Sequence, residues 1–134
     1  MTVEVILDTN ILIFISEGKF NLQREIERIL PQKHEIVILS ACLKEMEYLT
    51  KKQPKMVQHK KFIEKLIPTL KLIDFNPENI IETDKKIIAY AEKHKDTTIV
   101  VTNDIKLKNL LRDLNLPVIF VRTYNHLELV GFVK

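Results

Sequence analysis

Two apolar runs in the sequence are each followed by a short polar segment that contains an aspartate. The run "VEVILDTNIL" reaches Asp8 and, two residues later, Asn10, whereas "TIVVTNDIKL" reaches Thr102, Asn103 and Asp104. Burial of an ionised carboxylate costs free energy unless a cation or hydrogen-bond donors compensate its charge. An acid that closes a buried strand therefore either binds a ligand or caps the next helix. For Asp8 both alternatives are open at this point.

The elements that must position these residues alternate between strands and helices. Apolar residues at helical spacing lie between the predicted strands, with helix-start signals at Asn21, Ser40, the pair Asn76-Pro77, and Thr83. Strands that are apolar on both faces predict a parallel sheet covered on both sides. We therefore expect an α/β fold, a three-layer α/β/α sandwich with a central parallel sheet of about five strands. These strands are predicted at Val3–Asp8, Glu35–Leu39, Leu70–Phe75, Thr98–Thr102 and Pro117–Val121.

Two further acids are expected at the same edge of this sheet. In a parallel sheet the carboxyl ends of the strands and the first turns of the following helices share one edge, where ligands bind. Asp84 lies in the first turn after Thr83, and Glu45 lies one turn into the helix that begins at Ser40. Asp84 shares a helical stripe with the apolar residues of "TDKKIIAYA", and Glu45 with those of "SACLKEMEYL". A surface carboxylate belongs on the polar face instead, so both acids call for an explanation.

A divalent cation would reconcile four carboxylates in one cleft. Capping alone would explain Asp8, and a favourable helix dipole would explain Asp84. Four such acids at close range, however, oppose one another and raise each other's pKa. A ligand set of oxygens without His or Cys selects hard ions. The sequence therefore predicts a Mg²⁺ or Mn²⁺ site formed by Asp8, Glu45, Asp84 and Asp104.

Together these segments resemble the PIN domain, a metal-dependent ribonuclease fold. "VILDTNIL", "SACLKEMEYL", "TDKKIIAYA" and "IVVTNDIKLKNLL" occur in the family's order, and the resemblance runs from about Val3 to Val121. It implies that the four acids bind the metal and catalyse RNA hydrolysis that leaves a 5′-phosphate and a 3′-hydroxyl. It also implies that Asn10 helps to hold the first acid, and that Thr102 and Asn103 support the last. Some relatives carry a further acid directly after the third one, where this chain has Lys85-Lys86. Sites with one ion and with two ions therefore both stay open.

The C-terminal segment narrows the resemblance. "LPVIFVRTYNHLELVG" is similar to PIN proteins that process small-subunit ribosomal RNA, and less similar to the toxins of toxin–antitoxin pairs. We therefore expect an endoribonuclease that acts on ribosomal precursor RNA. A toxin ribonuclease and a non-cleaving module that binds RNA or protein are the alternatives. A phosphatase with Asp8 as nucleophile is a further rival, although such sites usually carry another acid where this chain has Asn10. Relatives often pair, so a homodimer is also an open alternative.

Composition limits the remaining classes of protein. With 134 residues, 46% of them hydrophobic and 29% charged, the chain fits one globular domain over residues 1–134. No apolar run is long enough to span a bilayer, and the single Cys42 cannot form an internal disulfide. We therefore expect a protein of the reducing cytoplasm without membrane contact.

Positive charge is concentrated in one segment. The net charge is only +3, but six lysines against one acid give +5 between Lys51 and Lys65. Such a run is either a solvated helix face or a surface that binds RNA phosphates. We expect RNA contacts from Arg122 and from the "basic arm", which we define as Lys51, Lys52, Lys55, Lys60 and Lys61.

Overall fold

A six-stranded sheet forms the centre of the structure, a computed structural model that describes residues 2–17, 21–123 and 126–131. The strands are β1 (Val3–Leu7), β2 (His34–Leu39), β3 (Lys71–Ile73), β4 (Thr98–Thr102), β5 (Val118–Thr123) and β6 (His126–Val130). In space they follow the order β3-β2-β1-β4-β5-β6. The first five run parallel, and β6 pairs antiparallel with β5.

The parallel part of this sheet confirms the predicted α/β fold. Each of the five predicted strands is present, and the largest difference is at β3, which is shorter than the predicted Leu70–Phe75. The sixth strand is not predicted by the sequence analysis. Its sequence "HLELV" alternates polar and apolar residues, as expected of an antiparallel strand at the edge of a sheet. The two residues between it and β5 are Tyr124 and Asn125, so the sequence carries only the weaker signal of a single Asn, without Gly or Pro.

Helices connect the strands and flank the sheet. Short 3₁₀ turns occur at Pro54–Met56, Ile67–Thr69 and Lys95–Thr97. Within the described ranges, no helix combines the length and the apolar character needed to cross a membrane. The helices are α1 (Thr9–Ser16), α2 (Leu22–Ile29), α3 (Ser40–Lys52), α4 (Val57–Leu66), α5 (Thr83–Lys93) and α6 (Ile105–Asp113).

Three of the four predicted helix starts are confirmed. Asn21 caps α2 by accepting a hydrogen bond from a backbone amide (3.1 Å), α3 begins at Ser40, and α5 begins at Thr83. The predicted start at Asn76-Pro77 is wrong. The carbonyl oxygen of Pro77 instead accepts an amide hydrogen bond (3.1 Å) that closes a turn. The fixed φ of proline suits a turn as well as a first helical residue, so the sequence signal does not separate the two.

Burial along the central strands shows why both faces of the sheet are covered. Val5, Ile6 and Leu7 follow one another in β1, and all three are fully buried. Successive residues of a strand point to opposite faces, so burial of all three requires helices on both sides, as predicted. The carboxyl ends of β1, β2 and β4 lie at one edge, where α1, α3 and α6 begin within a few residues.

Candidate active site

Asp8 occupies the position just before α1, where a capping side chain would be expected. Its backbone is extended, yet its carboxylate makes no capping hydrogen bond to that helix. Instead, Oδ2 accepts a hydrogen bond from the hydroxyl of Thr102 on the neighbouring strand β4 (2.9 Å). Asp8 is only 2% exposed. Capping is therefore not the role of Asp8 in this structure.

Burial makes Asp8 a weaker acid than an exposed aspartate. Loss of hydration disfavours the ionised form and is the largest cause that raises its pKa from 3.8 to about 6. The Thr102 hydroxyl and the Thr9 backbone amide lower the pKa, whereas the negative charges of Asp84 and Glu45 raise it. The carboxylate is still ionised at neutral pH, at a free-energy cost that a bound cation would offset.

Thr102 connects Asp8 to the second strand-end acid. Its hydroxyl oxygen accepts a hydrogen bond from the backbone N–H of Asp104 (3.0 Å) while the hydroxyl donates to Asp8. Thr102 has no exposed surface, so water does not compete for these two hydrogen bonds. The ends of β1 and β4 are thereby held in one geometry, and Thr102 contacts the first acid as well as the last.

Asp104 is the acid that caps a helix. Its Oδ1 accepts hydrogen bonds from the backbone amides of Lys106 (2.8 Å) and Leu107 (3.4 Å) at the start of α6. The sequence analysis considers capping for Asp8 and helix-dipole stabilisation for Asp84, and it misses the cap at this position. Oδ2 of Asp104 makes no hydrogen bond to the described residues, so this oxygen can still bind a ligand.

Asp84 lies in the first turn of α5, where it is exposed. It lies at the exposed end of the predicted apolar stripe, whose burial begins one turn later at Ile87 and continues at Ala91. Asp84 is therefore at the border between the packed part of α5 and solvent, at the same edge of the sheet as Asp8.

The predicted acids interact electrostatically at this edge. Partial burial is the largest cause that raises the pKa of Asp84, followed by the charges of Glu45, Asp104 and Glu82. The charges of Asp84 and Glu45 in turn raise the pKa of Asp8. Like charges have this effect only at short range. The four acids predicted from the sequence therefore form one coupled group.

The four side chains lie near one another without surrounding a common point. Among the described residues, no group of three or more His, Cys, Asp or Glu side chains is arranged to hold a metal ion. Asp8 and Asp104 are fixed by hydrogen bonds, whereas Glu45 is half-buried and Asp84 is exposed. Exposed side chains change rotamer within nanoseconds. A shared cation thus requires Glu45 and Asp84 to turn toward the two fixed acids.

Glu45 faces the packed side of α3, as predicted, together with Met46 and Cys42, which is fully buried. Burial, followed by the charges of Asp8 and Glu45, raises the pKa of the Cys42 thiol to about 12. Its Sγ lies 3.8 Å from the carbonyl oxygen of Leu7. Cys42 is therefore an uncharged thiol that fills space beneath the acidic edge.

Two charged residues at this edge escape the sequence analysis. The ammonium group of Lys106 lowers the pKa of Asp84, so a positive charge lies near that acid. Glu82 immediately precedes α5, raises the pKa of Asp84, and pairs with Lys85 (3.2 Å). Some relatives carry a second acid directly after the position of Asp84, where this chain has Lys85. In this chain the neighbouring acid is Glu82, two residues before Asp84. The spacing of Lys106, two residues after the capping Asp104, is the signal that would have identified it.

The basic arm runs from the end of α3 through the 3₁₀ turn to α4. Its lysines are exposed except for Lys60, which is half-buried and pairs with Glu64 (4.0 Å). The Lys52 ammonium lies 5.2 Å from the centre of the Tyr48 ring. The arm is thus an accessible positive surface, as both interpretations of the lysine run require. The side chain of Arg122 lies outside the described residues, so its RNA contact stays a prediction.

The amides of Asn10 and Asn103 lie in a groove beside the acids. This groove has a volume of about 340 Å³ and lies between α1 and the turn that precedes α6. Asn10 is exposed, and neither amide forms a hydrogen bond to an acid within the part of the chain that the structure describes. The support that the resemblance implies for Asn10 and Asn103 therefore stays a prediction.

The mostly parallel sheet is flanked by helices and carries interacting carboxylates at the carboxyl ends of its strands. These features define the class of protein as an α/β domain with PIN architecture. The family model described as "PIN like domain" matches residues 5–124. The chain belongs to this PIN-like family.

Individual proteins agree with this assignment. The chain is 36% identical over 133 residues to "Ribonuclease VapC4" of Methanocaldococcus jannaschii, which covers 97% of this chain and 98% of that protein. The structure of the PIN domain endonuclease Utp24 matches with a TM-score of 0.78 at 21% identity, covering 98% of this chain and 93% of that one. VapBC2 from Rickettsia felis, solved with a DNA fragment from its promoter, matches with a TM-score of 0.66 at 21% identity, covering 89% and 99%. The structural matches confirm the fold.

Proposed function

We propose that this chain is a Mg²⁺- or Mn²⁺-dependent endoribonuclease that hydrolyses RNA phosphodiesters. The observation that supports this proposal is the coupled group of acids at one edge of the sheet, formed by Asp8, Glu45, Asp84 and Asp104. Their donor atoms are all oxygens, the ligands that hard cations prefer. Desolvated like charges also gain more from a cation than separate surface acids do. The similarity to a protein named a ribonuclease adds weight.

The residues of the chain contribute chiefly by holding negative charge in place. When bound, Mg²⁺ or Mn²⁺ would polarise the scissile phosphate and lower the pKa of the attacking water. Thr102 orients the carboxylate of Asp8, and the first amides of α6 orient that of Asp104. Asp8 is ionised above its pKa of about 6, so its charge is available at neutral pH. In this proposal Asn10, Thr102 and Asn103 are supporting residues.

The substrate that we propose is ribosomal precursor RNA in the cytoplasm, with residues 1–134 acting as a single domain. The basic arm and Arg122 would contact phosphates of that RNA, because lysine and arginine bind RNA chiefly through its phosphates. The sequence of the C-terminal segment favours this substrate.

A toxin ribonuclease is a second candidate, and one observation favours it. The 36% identity to Ribonuclease VapC4 extends over nearly the whole of both chains. On this alternative, the chain would cleave mature cellular RNA and would be encoded beside a small antitoxin.

Cleavage of a defined RNA tests the metal-dependent ribonuclease activity that both candidate functions share. A labelled single-stranded RNA should be cut with Mn²⁺ or Mg²⁺ and left intact with EDTA, and the products should carry 5′-phosphates. Binding without cleavage under every metal would instead support a non-cleaving module. Formation of an aspartyl-phosphate from a phosphorylated small molecule would support the phosphatase rival.

The two candidates differ in where the cuts fall in a cell. RNA from cells that express the chain is mapped for new 5′-phosphate ends, with Asp8→Asn as the matched inactive control. Ends at the boundaries of mature ribosomal RNA would support processing. Ends inside mature RNA, together with arrested growth that an adjacent small gene relieves, would support the toxin.

A further inference from the structure

The groove beside the acidic edge is lined by one stripe of α1 and by the turn before α6. We call it the α1 groove and define it by Asn10, Ile13, Phe14, Glu17, Asn103 and Asp104. The four residues from α1 and its C-cap are spaced by three, four and seven positions, so they lie on one helical face. The volume of about 340 Å³ is within the range of small-molecule sites, roughly 300–1,000 Å³.

The chemistry of this lining does not suit a phosphate. Among the described residues, the α1 groove is lined by two carboxylates, Glu17 and Asp104, and by no lysine or arginine. An anion would therefore meet like charge. The lining includes the ring of Phe14, which is partly buried against the hydrophobic core, and the two amides of Asn10 and Asn103. Rings stack on the faces of bases, while amides and carboxylates bind the hydrogen-bonding groups at base edges.

The α1 groove is also continuous with the proposed site of cleavage. Asp104 belongs both to the groove and to the coupled acids, and Asn10 follows Asp8 by two residues. A base held here would thus belong to a nucleotide next to the phosphate that the acids address. Asn10 and Asn103 are then available to the RNA, because neither amide is hydrogen-bonded to an acid within the described ranges.

We propose that the α1 groove binds one unstacked nucleobase of single-stranded RNA, adjacent to the scissile phosphate. This inference rests on the proposed ribonuclease function and adds a base-recognition site to it. Phe14 stacks on the base, and Asn10, Asn103 and Glu17 contact its edge. Because Glu17 only accepts hydrogen bonds when ionised, the groove favours guanine, whose edge presents two adjacent N–H donors, over uracil, whose single N–H lies between two carbonyl oxygens.

An abasic scan of a short RNA tests the proposal without requiring cleavage. Oligoribonucleotides that lack the base at one position each are titrated with the protein in Ca²⁺, and binding is followed by fluorescence anisotropy. For the parent chain, removal of the base at one or two positions should weaken binding about tenfold, in the range expected for lost stacking. Phe14→Leu should bind the intact RNA about as weakly as the parent binds the abasic one. The affinity of Phe14→Leu should also vary little with the position of the missing base. Tyr48→Leu, which removes an exposed ring outside the α1 groove, should keep the dependence of the parent.

The outcomes are distinct from those of the cleavage test. A flat scan for the parent, or an unchanged scan for Phe14→Leu and Asn103→Ala, would overturn the base site even if the protein cuts RNA. A position-dependent scan in a protein that never cuts would uphold the base site and refute the nuclease. In cleavage assays, Asn10→Ala should slow cleavage of RNA that carries the base more than cleavage of the matching abasic RNA. Equal loss on intact and abasic RNA would assign Asn10 to the support of Asp8 and remove it from the α1 groove site. Asn109→Ala, an exposed amide elsewhere on α6, serves as its control.

Discussion

Replacing Asp8 by Asn exchanges an ionised carboxylate for a neutral amide of nearly the same shape. The amide oxygen can still accept the hydrogen bond that the Thr102 hydroxyl donates to the carboxylate. The extended backbone just before α1 suits both residues equally, because Asn and Asp are similarly favoured at this position of a helix. The substitution Asp8→Asn therefore removes charge from the acidic edge and changes little else.

The expected difference in stability follows from the size and direction of the Asp8 pKa shift. The folded chain holds the Asp8 proton more tightly than the unfolded chain does, because burial raises the pKa from 3.8 to about 6. Ionisation therefore destabilises the folded state as the pH rises through the unfolded pKa, and the penalty is complete above the folded one. It amounts to less than about 1 kcal/mol at about pH 4 and to roughly 3 kcal/mol at about pH 7.5. Asp8→Asn avoids this penalty, so its advantage over the parent grows with pH.

Urea unfolding of the parent and of Asp8→Asn in EDTA measures this difference across the pH range. The free energies of unfolding should be nearly equal in acid, and the variant should be the more stable protein at neutral pH. Asp113→Asn, which removes an exposed acid at the far end of α6, is the matched control and should show no comparable gain. An advantage that is absent or independent of pH would refute the assignment of a destabilising buried charge to Asp8.

Added Mn²⁺ should reverse the order of stability. A ligand that binds only the folded state stabilises it by mass action, and the parent has one more charged oxygen ligand to offer. The parent should therefore gain more stability from Mn²⁺ than the variant, and RNA cleavage by the variant should fall by orders of magnitude while RNA binding persists. If Asp8→Asn cuts RNA normally and keeps the full Mn²⁺ shift, Asp8 is not a metal ligand.

Four other variants test separate parts of the structure. Thr102→Val removes the hydroxyl that bonds both Asp8 and Asp104, so urea unfolding should show a loss of roughly 1–3 kcal/mol; a neutral effect would show that this hydrogen-bond chain contributes little. Cys42→Ala should leave metal-dependent cleavage within a few-fold of the parent, because the buried thiol behaves as a small hydrophobic group, and complete loss of cleavage would contradict that role. Alanine at every position of the basic arm should weaken RNA binding. It should also reduce the slope of log affinity against log salt by about 0.7 for each lost phosphate contact, whereas an unchanged slope would assign the arm to a solvated face. Lys106→Gln removes the positive charge near the acids, so calorimetry should show tighter Mn²⁺ binding; weaker binding would mean that Lys106 organises the acids and does not compete with the cation.

The fold was predictable because buried parallel strands leave a strong pattern. Residues on both faces of β1 and β4 must be apolar, and the start of α3 at Ser40 and of α5 at Thr83 is marked by residues that favour helix N-termini. The antiparallel β6 leaves a weaker pattern, because one of its faces is less buried and the two residues before it include neither Gly nor Pro. Its place beside β5 is set by pairing across the sheet, which local sequence does not encode.

The composition of the acidic group was also predictable, but its hydrogen bonding was not. Asp8 and Asp104 both follow an apolar run and precede a helix, so their local patterns are alike. The difference arises from Thr102, which is 94 positions from Asp8 in the chain and captures its carboxylate. The exposure of Asp84 was missed for a related reason. A helical stripe shows which side of α5 is apolar, but not how far along the helix the packing extends.

Cys42 has a consequence for how motion at the acidic edge can be followed. It is the only cysteine of the chain, it is fully buried, and its pKa is about 12. Thiol reagents react with the thiolate, so labelling of Cys42 must proceed through molecules in which α3 has separated locally from the end of β1. The labelling rate then measures the population of such openings, which is set by a local free energy. A residue without a part in the proposed chemistry thereby provides an intrinsic probe of how often the acidic edge comes apart, and of how far a cation or an RNA suppresses that opening.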